Sequence, residues 1–179
     1  GTGLSTDTIS MSYNNGAITQ NANRDIQGTG VAAANLTISE TDPYNFGTLP
    51  VGGAETHIFT VQNTGGSQAT SVSGLGLAVP YSFLGGSYPG TGGTCGTTIN
   101  PSANCTIVVE YAPLSLSGSD DDSVQIDYNN GVSAASVERD VTGVAVSPAT
   151  LTITESDPYN FGTLATGATA DHIFTITNT

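Results

Sequence analysis

The densest group of side chains with chemical potential is Asp120-Asp121-Asp122, preceded by Ser-Gly-Ser and followed by Asp127. Calcium takes six to eight oxygen ligands, and an acidic loop of this kind is where they would come from. Glu40 and Asp42, echoed by Glu155 and Asp157, offer a second set of carboxylates that could meet a neighbouring unit's loops across a bound cation. These five residues, Asp120, Asp121, Asp122, Glu40 and Asp42, are the calcium candidates, and no firm metal site and no other cofactor is expected. The plainer reading of Asp-Pro-Tyr-Asn is a turn, with Asp bonding the backbone and Pro fixing φ. Cys95 and Cys105 flank nine residues rich in Gly, Thr, Asn and Pro. That spacing suits a disulfide closing one surface loop, is too wide for a CxxC redox pair and, with no histidine nearby, is unsuited to zinc.

Catalysis is not expected. His57 and His172 are the only histidines, and no nucleophile motif accompanies either, so no triad can be assembled. Lysine is absent, which removes Schiff-base chemistry and a Lys–Asn isopeptide staple. No Gly-rich phosphate loop opens a helix, and no paired-carboxylate pattern suggests a hydrolase. Composition narrows the partners as well. Arg24 and Arg139 are the only cations against 15 carboxylates, a formal net charge of -13. Nucleic acids and anionic lipid surfaces bind through Lys and Arg, so both are poor partners. No run approaches the ~20 apolar residues of a membrane-spanning helix. The disulfide pattern and the Gly-, Thr- and Asn-rich, charge-poor composition fit an extracellular or cell-surface protein in an oxidising compartment.

The elements that position these residues are repeated. Ser-Glu-Thr-Asp-Pro-Tyr-Asn-Phe-Gly-Thr-Leu at 39–49 returns as Thr-Glu-Ser-Asp-Pro-Tyr-Asn-Phe-Gly-Thr-Leu at 154–164, and Tyr13-Asn14-Asn15-Gly16 returns as Tyr128-Asn129-Asn130-Gly131. Both offsets are 115, which also places Arg24 on Arg139 and His57 on His172. Segments 1–64 and 116–179 are therefore copies, identical at about half their positions, and 65–115 occurs once. The reading is one complete repeat at 33–147, the closing strands of a preceding repeat at 1–32 and the opening strands of a following one at 148–179. Hinges are expected at Gly30–Asn35 and Ala145–Thr150. At the first copy's counterpart of the acidic loop stand Ser5, Thr6 and Asp7, so a site there is not a repeated feature.

Period-two alternation runs through the chain, and apolar residues nowhere follow helical spacing. Cys105, Ile107, Val109 and Tyr111 share one strand face, as do Val124, Ile126 and Tyr128, so both strands are expected to be half buried. Asn15-Gly16 and Asn130-Gly131 mark tight hairpin turns. Further strands are expected at Leu36–Ser39, Ala54–Asn63, Thr70–Ala78 and Tyr81–Leu84. About seven short strands per repeat fit an all-β, immunoglobulin-like sandwich. Arg139 falls on the apolar parity of its strand and must find a partner, which the sequence does not reveal.

Four motifs stand in order along the complete repeat: Phe46-Gly47-Thr48-Leu49 with Gly52; Phe59-Thr60-Val61-Gln62-Asn63-Thr64-Gly65; Val72-Ser73-Gly74-Leu75; and Thr94-Cys95-Gly96 with Ile99, Pro101, Cys105 and Tyr111-Ala112-Pro113; a fifth, closing motif is Gly28-Thr29-Gly30, at the end of the preceding copy. Together they resemble the bacterial choice-of-anchor D surface repeats, built on the ASH type of immunoglobulin-like domain. Gly143-Val144-Ala145, in place of a second Gly-Thr-Gly, and the Asp120–Asp122 loop depart from that pattern. The resemblance implies a tandem Ig-like architecture in large exported proteins and fixes no ligand. The expected role is a structural segment of a bacterial stalk or filament, whose partners are neighbouring copies of the same repeat, joined covalently or by assembly. The alternative is an adhesin-type module that binds a glycan or host protein through the loop 85–104, with Tyr81, Phe83 and Tyr88 as its aromatics. The chain is expected to be a window on a longer polypeptide or a unit that assembles.

Overall fold

The computed structural model describes residues 1–179, and its regular structure is entirely β. The strands are β1 (Gly3–Asn14), β2 (Thr19–Gly30), β3 (Leu36–Ile38), β4 (Tyr44–Pro50), β5 (Glu55–Asn63), β6 (Ala69–Leu75), β7 (Tyr81–Phe83), β8 (Thr98–Ile99), β9 (Asn104–Tyr111), β10 (Ser117–Asn129), β11 (Ala134–Val146), β12 (Leu151–Ile153) and β13 (Ile176–Asn178). No helix is long and apolar enough to cross a membrane. Two sheets, ordered β4-β11-β10-β6-β8 and β3-β5-β9-β7, face each other as an immunoglobulin-like β-sandwich. β1–β2 and β12–β13 form separate two-stranded sheets on either side of it in sequence.

The alternating residues become the core. Phe59, Val61, Ile107, Val109, Tyr111, Val124 and Ile126 have no solvent exposure and close the space between the sheets with Phe46, Val72, Tyr81 and Val141. Each such apolar side chain contributes about 1.5–3 kcal/mol through burial. β9 is not half buried, because Val108 on its outer face is also covered. The loop after β7 folds back over it. Leu84 N–H donates to the Val108 carbonyl at 3.0 Å, Val108 N–H donates to Pro89 O at 2.8 Å, and Thr94 and Thr106 pair through backbone and hydroxyl groups. The Cys95–Cys105 disulfide ties that loop to β9, with the Cα atoms 4.8 Å apart.

Two strands go beyond the expected set, β4 and β8. β4 arises because the first edge strand switches sheets: β3 pairs antiparallel with β5, the chain turns at 39–43, and β4 then runs parallel to β11. The β10–β11 connection is also longer than a two-residue turn. Asn130–Ser133 form the loop, only Gly131 has positive φ (92°), and the Asn130 side-chain oxygen accepts from the N–H groups of Val132 and Ser133. The second hinge is shorter than expected, since β11 runs through Val146 and Ala145 is buried. Gly143 lies within that strand, where a Cβ would stand 2.6 Å from the Tyr111 ring, so the residue serves core packing rather than a hinge.

Candidate functional site

The repeated titratable residues converge where the edge strand switches sheets. Ser39–Pro43 crosses the sandwich edge, and two polar pairs hold it there. Arg139, inward on β11, donates from Nη2 to the Ile38 carbonyl at 2.7 Å and stands 3.5 Å from the Asp42 carboxylate. Asp42 also accepts the Asp140 N–H at 3.1 Å. On β5, His57 Nε2 lies 3.5 Å from Glu40, and the ring stacks on Tyr44 with centroids 4.0 Å apart. Glu40 itself sits at φ 78°, a conformation that L residues adopt rarely and that the surrounding contacts impose. Tyr44 touches Phe46 and Phe59 edge-on, which joins this polar seam to the core, and burial raises its phenol pKa. Glu40 and Asp42 thus face His57 and Arg139 of their own repeat.

The acidic loop is embedded in β10. Asp120 accepts the Tyr111 hydroxyl at 2.7 Å, and its carbonyl accepts the Tyr81 hydroxyl at 2.8 Å. The two rings stack with centroids 4.9 Å apart. Burial first, and then the Asp120 bond, pushes the Tyr111 phenol up to about 12; burial likewise raises Tyr81 above the usual phenol range. Asp122 accepts the N–H groups of Ala78 and Ser123, each at 2.8 Å. Asp121 points to Thr142 and Ser119, whose hydroxyls lower its pKa. Each of the three carboxylates therefore has protein donors. No group of three or more His, Cys, Asp or Glu side chains is placed to hold a metal ion.

The three aromatics at and beside the loop 85–104 are tied into the sandwich. Tyr81 and Phe83 lie in the core, and Tyr88 packs edge-on against Phe83 at 5.6 Å while its hydroxyl reaches Gly96 O at 3.3 Å. Sequence reasoning missed Asn63, the one fully buried polar side chain of the core. Its amide donates to Ser67 O and Ile99 O and accepts from the N–H groups of Asn35 and Gly65, which fixes four segments at one end of the sandwich. Its signal was present in the Asn-Thr pair that closes both copies of β5, Asn63-Thr64 and Asn178-Thr179.

Parts of the seam recur on each side of the complete repeat. In segment 148–179, His172 stacks on Tyr159 at 3.9 Å and stands 3.7 Å from Glu155, while Phe161 and Phe174 repeat the edge-on contacts. The Thr175 N–H, donating to Glu155 at 3.0 Å, holds that carboxyl below its usual range. Arg24, the counterpart of Arg139, lies on β2 opposite Ile9.

No protein-family model and no curated protein matches the chain. Among solved structures it is similar to a protein of unknown function from Porphyromonas gingivalis, at 11% identity and a TM-score of 0.47 over 80% of this chain and 66% of that one. An ASH / PapD-like domain of human CEP192 aligns at 11% identity and a TM-score of 0.45, over 65% of this chain and 88% of that one. The VesB protease of Vibrio cholerae aligns at 16% identity and a TM-score of 0.46, over 61% of this chain and 31% of that one. The sandwich assignment stands on the strand pairing of the chain itself.

Proposed function

We propose that the chain is a structural segment of an extracellular bacterial stalk or filament built from tandem immunoglobulin-like repeats of the choice-of-anchor D type. One observation carries this reading: the acid–imidazole pair and its aromatic stack in the complete repeat recur in the segment that follows it, and the seam's arginine recurs in the segment that precedes it, at one fixed offset. A module whose chemistry is written into every copy serves the repeat, whereas a receptor concentrates distinct residues in one copy. The seam's acids, imidazole and guanidinium face one another and the backbone, which suits a latch on the sheet switch. The disulfide supports an oxidising, cell-exterior setting.

At ~3.3 Å per strand residue, repeats joined end to end advance by roughly 30–45 Å each. Electron microscopy of native material is expected to show a thin beaded fibre with that period. Globular particles with no axial repeat would refute the stalk.

A further inference from the structure

The small-residue stretch between β2 and β3 has the sequence of a hinge, yet the structure holds almost every part of it. Ser67 Oγ donates to the Ala32 carbonyl at 2.9 Å, Ala34 N–H donates to the Asn130 carbonyl at 2.9 Å, and Asn35 N–H donates to the buried Asn63 side chain at 3.1 Å. Thr64 closes the stretch, its N–H and its hydroxyl both donating to Asn35 O, at 2.8 and 3.0 Å. Ala34 is buried. The approach is close enough to require glycine opposite it: a Cβ on Gly65 would run into the Ala33 carbonyl and stand 2.6 Å from Ala34 Cα. All of these partners, residues 63–67 and Asn130, belong to the repeat that follows the stretch.

The repeat that precedes such a stretch has a grip of its own. At the exit of the complete sandwich, β11 keeps its pairing through Val146, opposite Pro50, and the Val146 carbonyl accepts the Val51 N–H at 2.9 Å. At the offset of 115, Val146 corresponds to Val31 and Ser147 to Ala32. The last residue held by one repeat is therefore followed at once by the first residue held by the next. The second stretch begins the same grip, since Thr179 N–H and hydroxyl donate to Thr150 O at 2.9 and 3.3 Å, as Thr64 does to Asn35 O. Pro148 stands in the place of Ala33, whose N–H makes no hydrogen bond, and adds a fixed φ.

Resting on the repeat reading above, we propose that successive repeats are joined without a free linker, each connecting stretch being docked against the loops 63–67 and 130–133 of the repeat that follows it. Orientation at the joint then rests on the single peptide between Val31 and Ala32, with ψ of the first and φ of the second as its soft torsions. An undocked stretch would add two torsions for every further residue and behave as flexible coil. A stalk joined in this way passes direction as well as force from one repeat to the next. The partner of the 63–67 and 130–133 surface is the polypeptide's own connecting stretch.

Amide hydrogen exchange and 15N relaxation of the full 179-residue chain test this. The Ala34 and Asn35 amides, and the Val51 amide of the upstream grip, are expected to exchange about a hundred-fold or more slowly than that of Ala149, which corresponds to Ala34 but has no acceptor. Order parameters of residues 32–35 should match those of the β5–β9 ladder, at about 0.85. G65A should push the stretch off its seat and speed Ala34 exchange by about ten-fold or more, with the β5–β9 amides unchanged as the sign that the sandwich is intact. S67A removes the bond to Ala32 O without adding bulk and should raise Ala34 exchange less, which keeps the test open if G65A does not fold. Order parameters below about 0.6 at residues 32–35, Ala34 exchange as fast as that of Ala149, or protection indifferent to both substitutions would each overturn the docked joint. An unprotected stretch in native fibres that keep their period counts against the joint alone, and a protected stretch in material without a period counts against the stalk alone.

Discussion

Residues 44–49 and 159–164 have identical sequences and different structures. The first is a strand hydrogen-bonded to β11; the second has the same stacked imidazole, the same edge-on phenyl contacts and the same Asn-to-Gly turn, at 2.7 and 2.8 Å, but no strand. Side-chain order in this motif is therefore local, and strand order is supplied by a neighbour. The two hairpins teach the converse. β1–β2 and β10–β11 hold their ladders alike, since both strands are contiguous in sequence, yet only β10–β11 has an inner face shielded from water.

Substitutions made in both copies sharpen that contrast. Phe59→Ala empties a fully buried site and should cost about 3–5 kcal/mol in the unfolding free energy read by denaturant titration, whereas Phe174→Ala in the monomer should change it by less than ~0.5 kcal/mol. Equal effects would mean that the arm is packed like the complete repeat. Asn63→Ala leaves its backbone partners unmatched at a buried site, and about 2–4 kcal/mol should be lost by the same measurement, with Asn178→Ala silent. Replacing Cys95 and Cys105 together by serine frees a loop that only the complete repeat has, at a cost on the order of 2–3 kcal/mol.

Alkaline pH should act on the complete repeat. Tyr111 and Tyr88 are pushed up to about 12, Tyr88 by burial alone, so the neutral phenols favour the folded state. That stabilisation is fully present below the ordinary phenol pKa near 10 and is lost as pH rises from there toward 12. Melting temperature should hold steady up to about pH 10 and fall beyond it, and Tyr111→Phe should blunt the fall. The smallest expected effect is that of calcium. With Asp120, Asp121 and Asp122 supplied with protein donors, millimolar calcium and a chelator should give the same melting temperature, and stabilisation that saturates with calcium would reveal a site.

The sequence was most readable where one strand's own alternation decides its face. Val124, Ile126 and Tyr128 point inward as their period requires, and the cysteine spacing matches a single closed loop. It was least readable where a partner lies far along the chain. β4 looked like the continuation of a turn because its strand character comes from β11, about a hundred residues later, with Gly47 at φ 83° relieving the irregular register. Arg139 was known to need an acceptor, but Ile38 O and Asp42 become its neighbours only when the edge strand changes sheets. Val108 looked solvent-facing because nothing in its alternation records that a loop folds back over it. The Asp120–Asp122 run resembled a cation loop, and the tyrosines that occupy Asp120 come from β7 and β9.

The parallel pairing of β4 with β11 also decides how a repeat responds to tension. The chain enters the sandwich just ahead of β3 and leaves it at the end of β11, so a pull on the two termini draws β4 and β11 in opposite directions along their shared ladder. Their hydrogen bonds are loaded in shear, all at once, instead of being peeled one by one, and the Arg139 contacts to Ile38 and Asp42 lie across the same slip plane. Forced unfolding is governed by the barrier to the first rupture. Rupture at the strand switch is the expected first event under force, with the disulfide still holding the loop on β9, and single-molecule pulling checks it.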